Sequence, residues 1–263
     1  MERMSLMNKV IMSASNISVR FGGLWAVKDV NMEVETNQVH GVMGPNGAGK
    51  STFLNVLSGL QQPSNGYLKI SNQKIVKGKP WKMTELGLSR SFQTVRLLPE
   101  MSVLENVLVG GHLYASKNPL NILLRTKKYR NTEKVLTEKA CDLLRMMGIE
   151  AKADQKITGL SLQERRRVEI ARSLMTEPRI LLLDEPCAGL NPHETDKIAQ
   201  MILTIKSRGI SVILVEHNVR MILSISDKIL VLDHGRKIAE GSPTDITKDE
   251  GVIKAYLGGA AHA

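Results

Sequence analysis

The chain has 263 residues, 42% hydrophobic, 24% charged and only 3% aromatic, a length that fits one large or two small globular domains with a full core. Lys+Arg 36 against Asp+Glu 26 gives a net charge of +10, which suits an acidic partner such as nucleotide phosphate, nucleic acid or a membrane face. The apolar content excludes disorder, and the two cysteines, Cys141 and Cys187, stand outside any metal-ligand spacing; no apolar run approaches the roughly 20 residues of a bilayer span, so a reducing, cytoplasmic setting is expected.

In chain order, short β-branched runs at 30–34 and 39–43 open an α/β pattern. The second leads into Gly44-Pro45-Asn46-Gly47-Ala48-Gly49-Lys50-Ser51, which fits G-x-x-x-x-G-K-[ST] and precedes a helical stretch at 52–58. Strand, glycine-rich turn and helix in that order make a phosphate loop. Its glycines let backbone N–H groups wrap phosphates and the helix start adds its positive end; Lys50 reaches the β- and γ-phosphates, and the Ser51 hydroxyl can ligate Mg²⁺. The run 88–92 ends at Gln93, whose amide can contact a metal-bound or attacking water. Residues 99–159 hold no good strand. The spacing of Val103 and Val107, then of Val135, Ala140, Leu143, Leu144 and Met147, predicts helices, read as a helical subdomain inserted into the sheet domain. Inside it Lys117, Arg125, Lys127, Lys128, Arg130, Lys134 and Lys139 face only Glu133 and Glu138, a net +5 that is either a solvated helix face or a membrane or partner contact.

Leu160-Ser161-Leu162-Gln163-Glu164 starts a helix that runs through Arg172: Ser161 stands at the N-cap with Glu164 three residues on, a capping box. The helix start is also an anion site, with Arg165, Arg166 and Arg167 behind it. The apolar run 180–183 delivers Asp184 and Glu185 at a strand end, where an open α/β sheet puts its ligands. Asp184 is the candidate to hold a metal, and Glu185 to orient and deprotonate a water. Pro192 opens a helix through Ile198, Met201, Ile202 and Ile205 that stops at Gly209, and a strand at 212–215 follows, which completes a βαβ unit. His217 comes directly after, at the sheet edge of Glu185, where an imidazole can hydrogen-bond a γ-phosphate. A strand at 229–232 and one capped helical stretch, from Ser242 and Pro243 to Leu257, end the pattern.

These motifs in this order resemble an ABC-type ATPase. The finer strings Phe21-Gly22-Gly23-Leu24-Trp25-Ala26-Val27, Ser91-Phe92-Gln93, Glu105-Asn106-Val107-Leu108-Val109-Gly110-Gly111-His112, Asp184-Glu185-Pro186-Cys187-Ala188-Gly189-Leu190-Asn191-Pro192, Glu216-His217-Asn218 and Ala255-Tyr256-Leu257-Gly258 are similar to the ATP-binding subunits of branched-chain amino-acid importers. The resemblance covers roughly 15–258 and implies an α/β P-loop NTPase of ABC type with an inserted helical subdomain and an antiparallel β subdomain. The implied division is one domain over 1–258, with core and β subdomain at about 10–98 and 160–258, the helical subdomain at about 99–159, and a tail at 259–263. Phe21 is then expected to stack on adenine, and the loop from Gly44 to Ser51, with Thr52, to hold ATP and Mg²⁺. Ser51, Gln93 and Asp184 would serve the metal, Gln93 would sense the γ-phosphate and the transporter, Glu185 would be the base and His217 the γ-phosphate switch. In this family two ATPase chains, identical or not, sandwich two ATP molecules, each phosphate loop facing the helix start of the other chain that carries Ser161 and Gln163. The implied partners are that second chain, two membrane permeases and, indirectly, a periplasmic or lipid-anchored binding protein, at the cytoplasmic face of the inner membrane; no nucleic acid is expected.

Two positions depart from the family pattern. Gln163 stands where the family has its second glycine, so a side chain is expected close to the incoming γ-phosphate, where backbone alone would approach best. Asn191 replaces a common aspartate. The first departure suggests a weakened site on this chain's own signature and a natural partner whose signature is intact. The alternatives are the ATPase of a lipid or lipopolysaccharide exporter, a soluble ATPase acting on nucleic acid or ribosomes, and a binding module that has lost hydrolysis.

Overall fold

Strands with apolar side chains on both faces need cover on both faces, and the continuous runs around 180 and 212 receive it. The computed structural model describes residues 9–91, 97–114 and 126–258. Along the chain come β1 (Val10–Phe21), β2 (Leu24–Glu35), β3 (Val39–Met43), α1 (Lys50–Leu57), β4 (Asn65–Ile70), β5 (Gln73–Ile75), α2 (Pro80–Glu85), β6 (Leu88–Arg90), α3 (Val103–Val109) and α4 (Lys127–Met146). There follow α5 (Leu162–Leu174), β7 (Ile180–Asp184), α6 (Pro192–Ser207), β8 (Ser211–Val215), α7 (Val219–Ile225), β9 (Lys228–Asp233), β10 (Arg236–Gly241), α8 (Pro243–Lys248) and α9 (Glu250–Gly258).

Two sheets form. One has the order β2-β1-β4-β5 and is antiparallel; the other has the order β10-β9-β3-β8-β7-β6 and is parallel except for β10 at its edge. Successive residues of the parallel strands serve opposite cores. Leu181, Leu183, Val212 and Leu214 pack with Val107, Leu144, Val168 and Ile202 of the helices, whereas Ile180, Leu182, Ile213 and Val215 pack with Phe53 and Leu54 of α1 and with the antiparallel sheet. At about 1.5–3 kcal/mol for each large apolar side chain fully buried, these two layers are the main source of stability.

Two expectations change. The strand read at 30–34 is the end of a strand twice that long, paired with β1, which the sequence pattern does not announce. Asn16 (φ 51) and Asp29 (φ 53) bulge the pair, Asn16 N–H donates to Asn31 Oδ1 at 2.8 Å, and the period-two alternation is broken there. The single C-terminal helix is two helices, because extended Asp249 interrupts it and recaps the chain, its Oδ1 accepting from Val252 N–H at 3.0 Å.

Candidate functional site

Register brings the motifs to one edge. Val42 of β3 and Asp184 of β7 both lie opposite Val215 of β8, so the phosphate loop, Asp184-Glu185 and Glu216-His217 leave three neighbouring strands at the same level. The loop has to be glycine where it touches the sheet: a Cβ at Gly44 would collide with the Leu232 carbonyl. Gly49, at φ 96, then delivers Lys50 and Ser51 as the first residues of α1.

Lys50 is only 5% exposed, and its Nζ donates to the carbonyls of Gly44 at 2.8 Å and Pro45 at 2.9 Å. Burial lowers its pKa below the ordinary lysine value, and the charges of Glu185 and Asp184 oppose that shift. The ammonium is thus folded over its own loop, on acceptors that a phosphate can replace.

The loop floors a cleft of about 590 Å³ lined by Leu24, Trp25 and Ala26 on one side, residues 46–52 below, and Glu185 and His217 on the other, with His234 and Gly235 completing the rim. Phe21 is 52% exposed at the end of β1 and is not among the lining residues; Trp25 is, with Arg20 and Lys28 at 5.5 and 5.9 Å from its ring. Sequence reasoning missed His234 and Gly235. Gly235 N–H donates to Ala48 O at 3.1 Å and its carbonyl accepts from Lys28 N–H at 2.7 Å, which ties the β9–β10 turn to the loop. The signal available was the Asp233-His234-Gly235-Arg236 turn after an apolar strand.

Asp184 is not a lone strand-end acid. Arg90 Nη2 meets its Oδ2 at 2.7 Å, and Arg90 Nη1 donates to Asn55 Oδ1 at 2.8 Å and Ser58 Oγ at 2.7 Å on α1. Arg90 was not anticipated, because it reads as a strand-terminal surface charge. Glu185 adopts φ 48, and its Oε1 lies 2.7 Å from His217 Nε2. These two predicted residues are brought together. Gln93 and the start of the basic segment, Lys117 and Arg125, lie outside the described residues.

The capping box forms as expected: Ser161 Oγ accepts from Glu164 N–H at 3.3 Å and Glu164 Oε2 accepts from Ser161 N–H at 3.0 Å. Lys152 meets Glu164 at 2.6 Å and holds its carboxyl below the usual glutamate range, so this acid is neutralised locally. Gln163 does not stand out from the helix start. It is 8% exposed, its Nε2 has no hydrogen-bond partner among the described residues, and Leu162, 43% exposed, is the outward side chain. Neither Ser161 nor Gln163 lines the cleft of its own chain. In the basic segment, Lys139 is drawn inward to Glu177 at 2.6 Å and Met175 O at 2.9 Å, which removes it from any solvated face.

Comparison with known proteins follows the same lines. A family model described as ABC transporter matches residues 27–188, and one described as Branched-chain amino acid ATP-binding cassette transporter matches residues 236–262. The high-affinity branched-chain amino acid transport ATP-binding protein BraF of Pseudomonas aeruginosa is 42% identical over 97% of this chain and 100% of its own length. LivG of Escherichia coli, of the same description, is 36% identical over 97% of this chain and all of its own. Among solved structures, the ADP conformation of MJ1267, an ATP-binding cassette of an ABC transporter, has a TM-score of 0.83 at 33% identity over 95% of this chain and 99% of that one. A nucleotide-free cassette has a TM-score of 0.81 at 32% identity, over 94% and 99%.

Proposed function

Because the chain belongs to the ATP-binding subunits of ABC transporters, we propose that it drives import of branched-chain amino acids or similar small solutes, binding ATP over Lys50 and hydrolysing it beside Glu185 and His217. The relatives favour import over the lipid-export and nucleic-acid readings. The observation that carries the residue assignment is the Glu185–His217 pair at 2.7 Å, on the wall of a cleft whose floor is the phosphate loop.

Backbone N–H groups of 46–49 and the start of α1 bind the phosphates, and Lys50 exchanges its two carbonyl acceptors for phosphate oxygens. Trp25 offers the base a ring face on the cleft wall, with Phe21 as the alternative once nucleotide is present. Glu185 takes the proton of the attacking water, and His217 holds Glu185 and donates to the γ-phosphate; the products are ADP and phosphate. Among the described residues no cluster of His, Cys, Asp and Glu forms a metal cage, but the Ser51 hydroxyl and the Asp184 carboxylate are the oxygen donors that suit Mg²⁺, which is held mostly by phosphates and water. When bound, Mg²⁺ would neutralise phosphate charge; Ser51, Asp184 and Gln93 would hold it.

Two such chains would enclose two ATP molecules and move two permeases docked near Gln93 and the helices of the 99–159 subdomain. No helix among the described residues is long and apolar enough to cross a membrane, so the permeases would hold the chain at the cytoplasmic membrane face. The partner chain would be a second copy or a non-identical ATPase subunit. Light scattering of purified Glu185→Gln protein with and without ATP tests the reading: an ATP-dependent dimer shows that two copies suffice, and a monomer that binds ATP requires the other chain. A Glu185→Gln protein that hydrolyses ATP at the wild-type rate refutes the assignment of the base.

A further inference from the structure

Glu216 does not line the cleft over the phosphate loop and is used by none of the steps above. It is 4% exposed, follows β8 directly, and opens the loop that carries His217, bonded across to the loop that carries Glu185. Its Oε1 accepts from Cys187 N–H at 2.7 Å and its Oε2 from His217 N–H at 3.2 Å. One carboxylate therefore grips backbone two residues beyond Glu185 and at His217 itself.

That grip acts where the chain is under strain. Glu185 is non-glycine at φ 48, a strained conformation that persists only where its surroundings over-determine it. Glu185 N–H donates to Val215 O at 2.9 Å and Ala188 N–H to Glu185 O at 3.1 Å, so Glu216 supplies the third tie and the only one in this set that reaches the His217 loop. A carboxylate taken out of water costs free energy unless donors surround it; burial pushes the Glu216 pKa above the usual glutamate range while the backbone donors pull it back.

We propose that Glu216 is a positioning residue for ATP hydrolysis, clasping the 185–188 and 216–218 loops so that the Glu185 carboxylate and the His217 imidazole stay within hydrogen-bond reach. The inference rests on the roles proposed above for that pair. A carboxylate suits the task because both of its oxygens accept, one from each loop. An amide of the same size has one accepting oxygen and would turn its NH₂ against an N–H donor.

The test uses the full-length chain with ATP. Imidazole ¹H–¹⁵N spectra report on His217, whose signals are identified by their loss in His217→Ala and whose positions without a carboxylate partner are set by Glu185→Gln. Glu216→Gln is expected to move the His217 signals toward the Glu185→Gln positions and to lower kcat roughly tenfold or more with KM within about twofold, as displacement of a reacting group without loss of binding should. Glu216→Asp, which keeps the charge on a shorter arm, should fall between wild type and Glu216→Gln, and it carries the same readings if Glu216→Gln does not fold. Unmoved His217 signals overturn the clasp, and so does an unchanged kcat in Glu216→Gln when His217→Ala lowers kcat. If His217→Ala itself leaves kcat unchanged, it is the assignment of the pair to hydrolysis that fails, and the spectra alone judge the clasp.

Discussion

His40 gives a prediction with a sign and a size. It lies in β3, four residues ahead of Gly44, with 0% exposure; its Nε2 is 3.8 Å from Glu240 Oε1, and neither ring nitrogen has a hydrogen-bond partner among the described residues. Burial moves its pKa from 6.5 to about 4, with Glu240 pulling upward and Lys228 and Lys237 adding to the depression. Below 6.5 the unfolded chain takes up a proton that the folded chain refuses until about 4, so stability rises with pH in that window and is lost as pH falls through it. At about 1.4 kcal/mol per unit, the shift from 6.5 to about 4 amounts to roughly 3 kcal/mol, a large part of the 5–15 kcal/mol typical of a folded domain. Urea unfolding of wild type and His40→Gln from about pH 7.5 to about pH 4.5 measures it. Glu240, held below the usual glutamate range because hydrogen bonds from Lys228 and Lys237 outweigh its burial, loses stability in the same direction in both proteins and largely cancels in the comparison. Wild type should lose about 2.5 kcal/mol more than the variant over this range, which stops short of the folded pKa of about 4. Parallel curves would refute the account of a buried neutral imidazole.

Three other substitutions probe the site and its supports. Arg90→Ala leaves Asp184 buried without its guanidinium and should cost about 3–5 kcal/mol, with a changed Mg²⁺ dependence of nucleotide binding in fluorescent-nucleotide titrations; an unchanged dependence would make Arg90 a purely structural clamp. Asn106, fully buried on α3, accepts from Leu98 N–H at 2.7 Å and donates to Leu98 O at 3.0 Å and Ser102 O at 2.9 Å, so Asn106→Ala should lower stability by about 1–3 kcal/mol in urea melts. Gln163→Gly should raise the ATPase rate of the assembled transporter, and equal rates before and after would remove the weakened second site from the account.

What could be read from the sequence was whatever local pattern encodes. The phosphate loop announces itself because spacing, strand and helix all have to agree over ten or so residues, and 180–183 and 212–215 announce themselves because strands buried twice cannot hide polar residues. The α6 start was legible from Pro192, though Asn191, whose Oδ1 accepts from Glu194 N–H at 3.0 Å, is the residue that caps it. β1 was illegible for the opposite reason: bulges at Asn16 and Asp29 shift the face that each residue presents, so no window shows a clean period. Arg90 and Glu216 escaped because their partners are remote in sequence; Arg90 is joined to Asp184 across 94 residues and Glu216 to Cys187 across 29.

The same distance explains why charge is buried where it is. Lys50 at the start of α1 and Asp184 and Glu216 at the ends of β7 and β8 are buried, the Arg90 side chain at the end of β6 is 8% exposed, and Arg166 and Glu169 lie buried on α5. A buried ion pair is commonly no better for stability than apolar side chains of the same volume, so stability alone gives the fold no reason to collect them at one sheet edge. Each ties together elements that carry different parts of the site: Arg90 joins α1, with its Lys50 and Ser51, to Asp184, and Glu216 joins the Glu185 loop to that of His217. Apolar residues could fill these volumes but could not fix the direction of a carboxylate or an imidazole. Hydrogen bonds from fixed donors can, and hydrolysis at this edge depends on such directions.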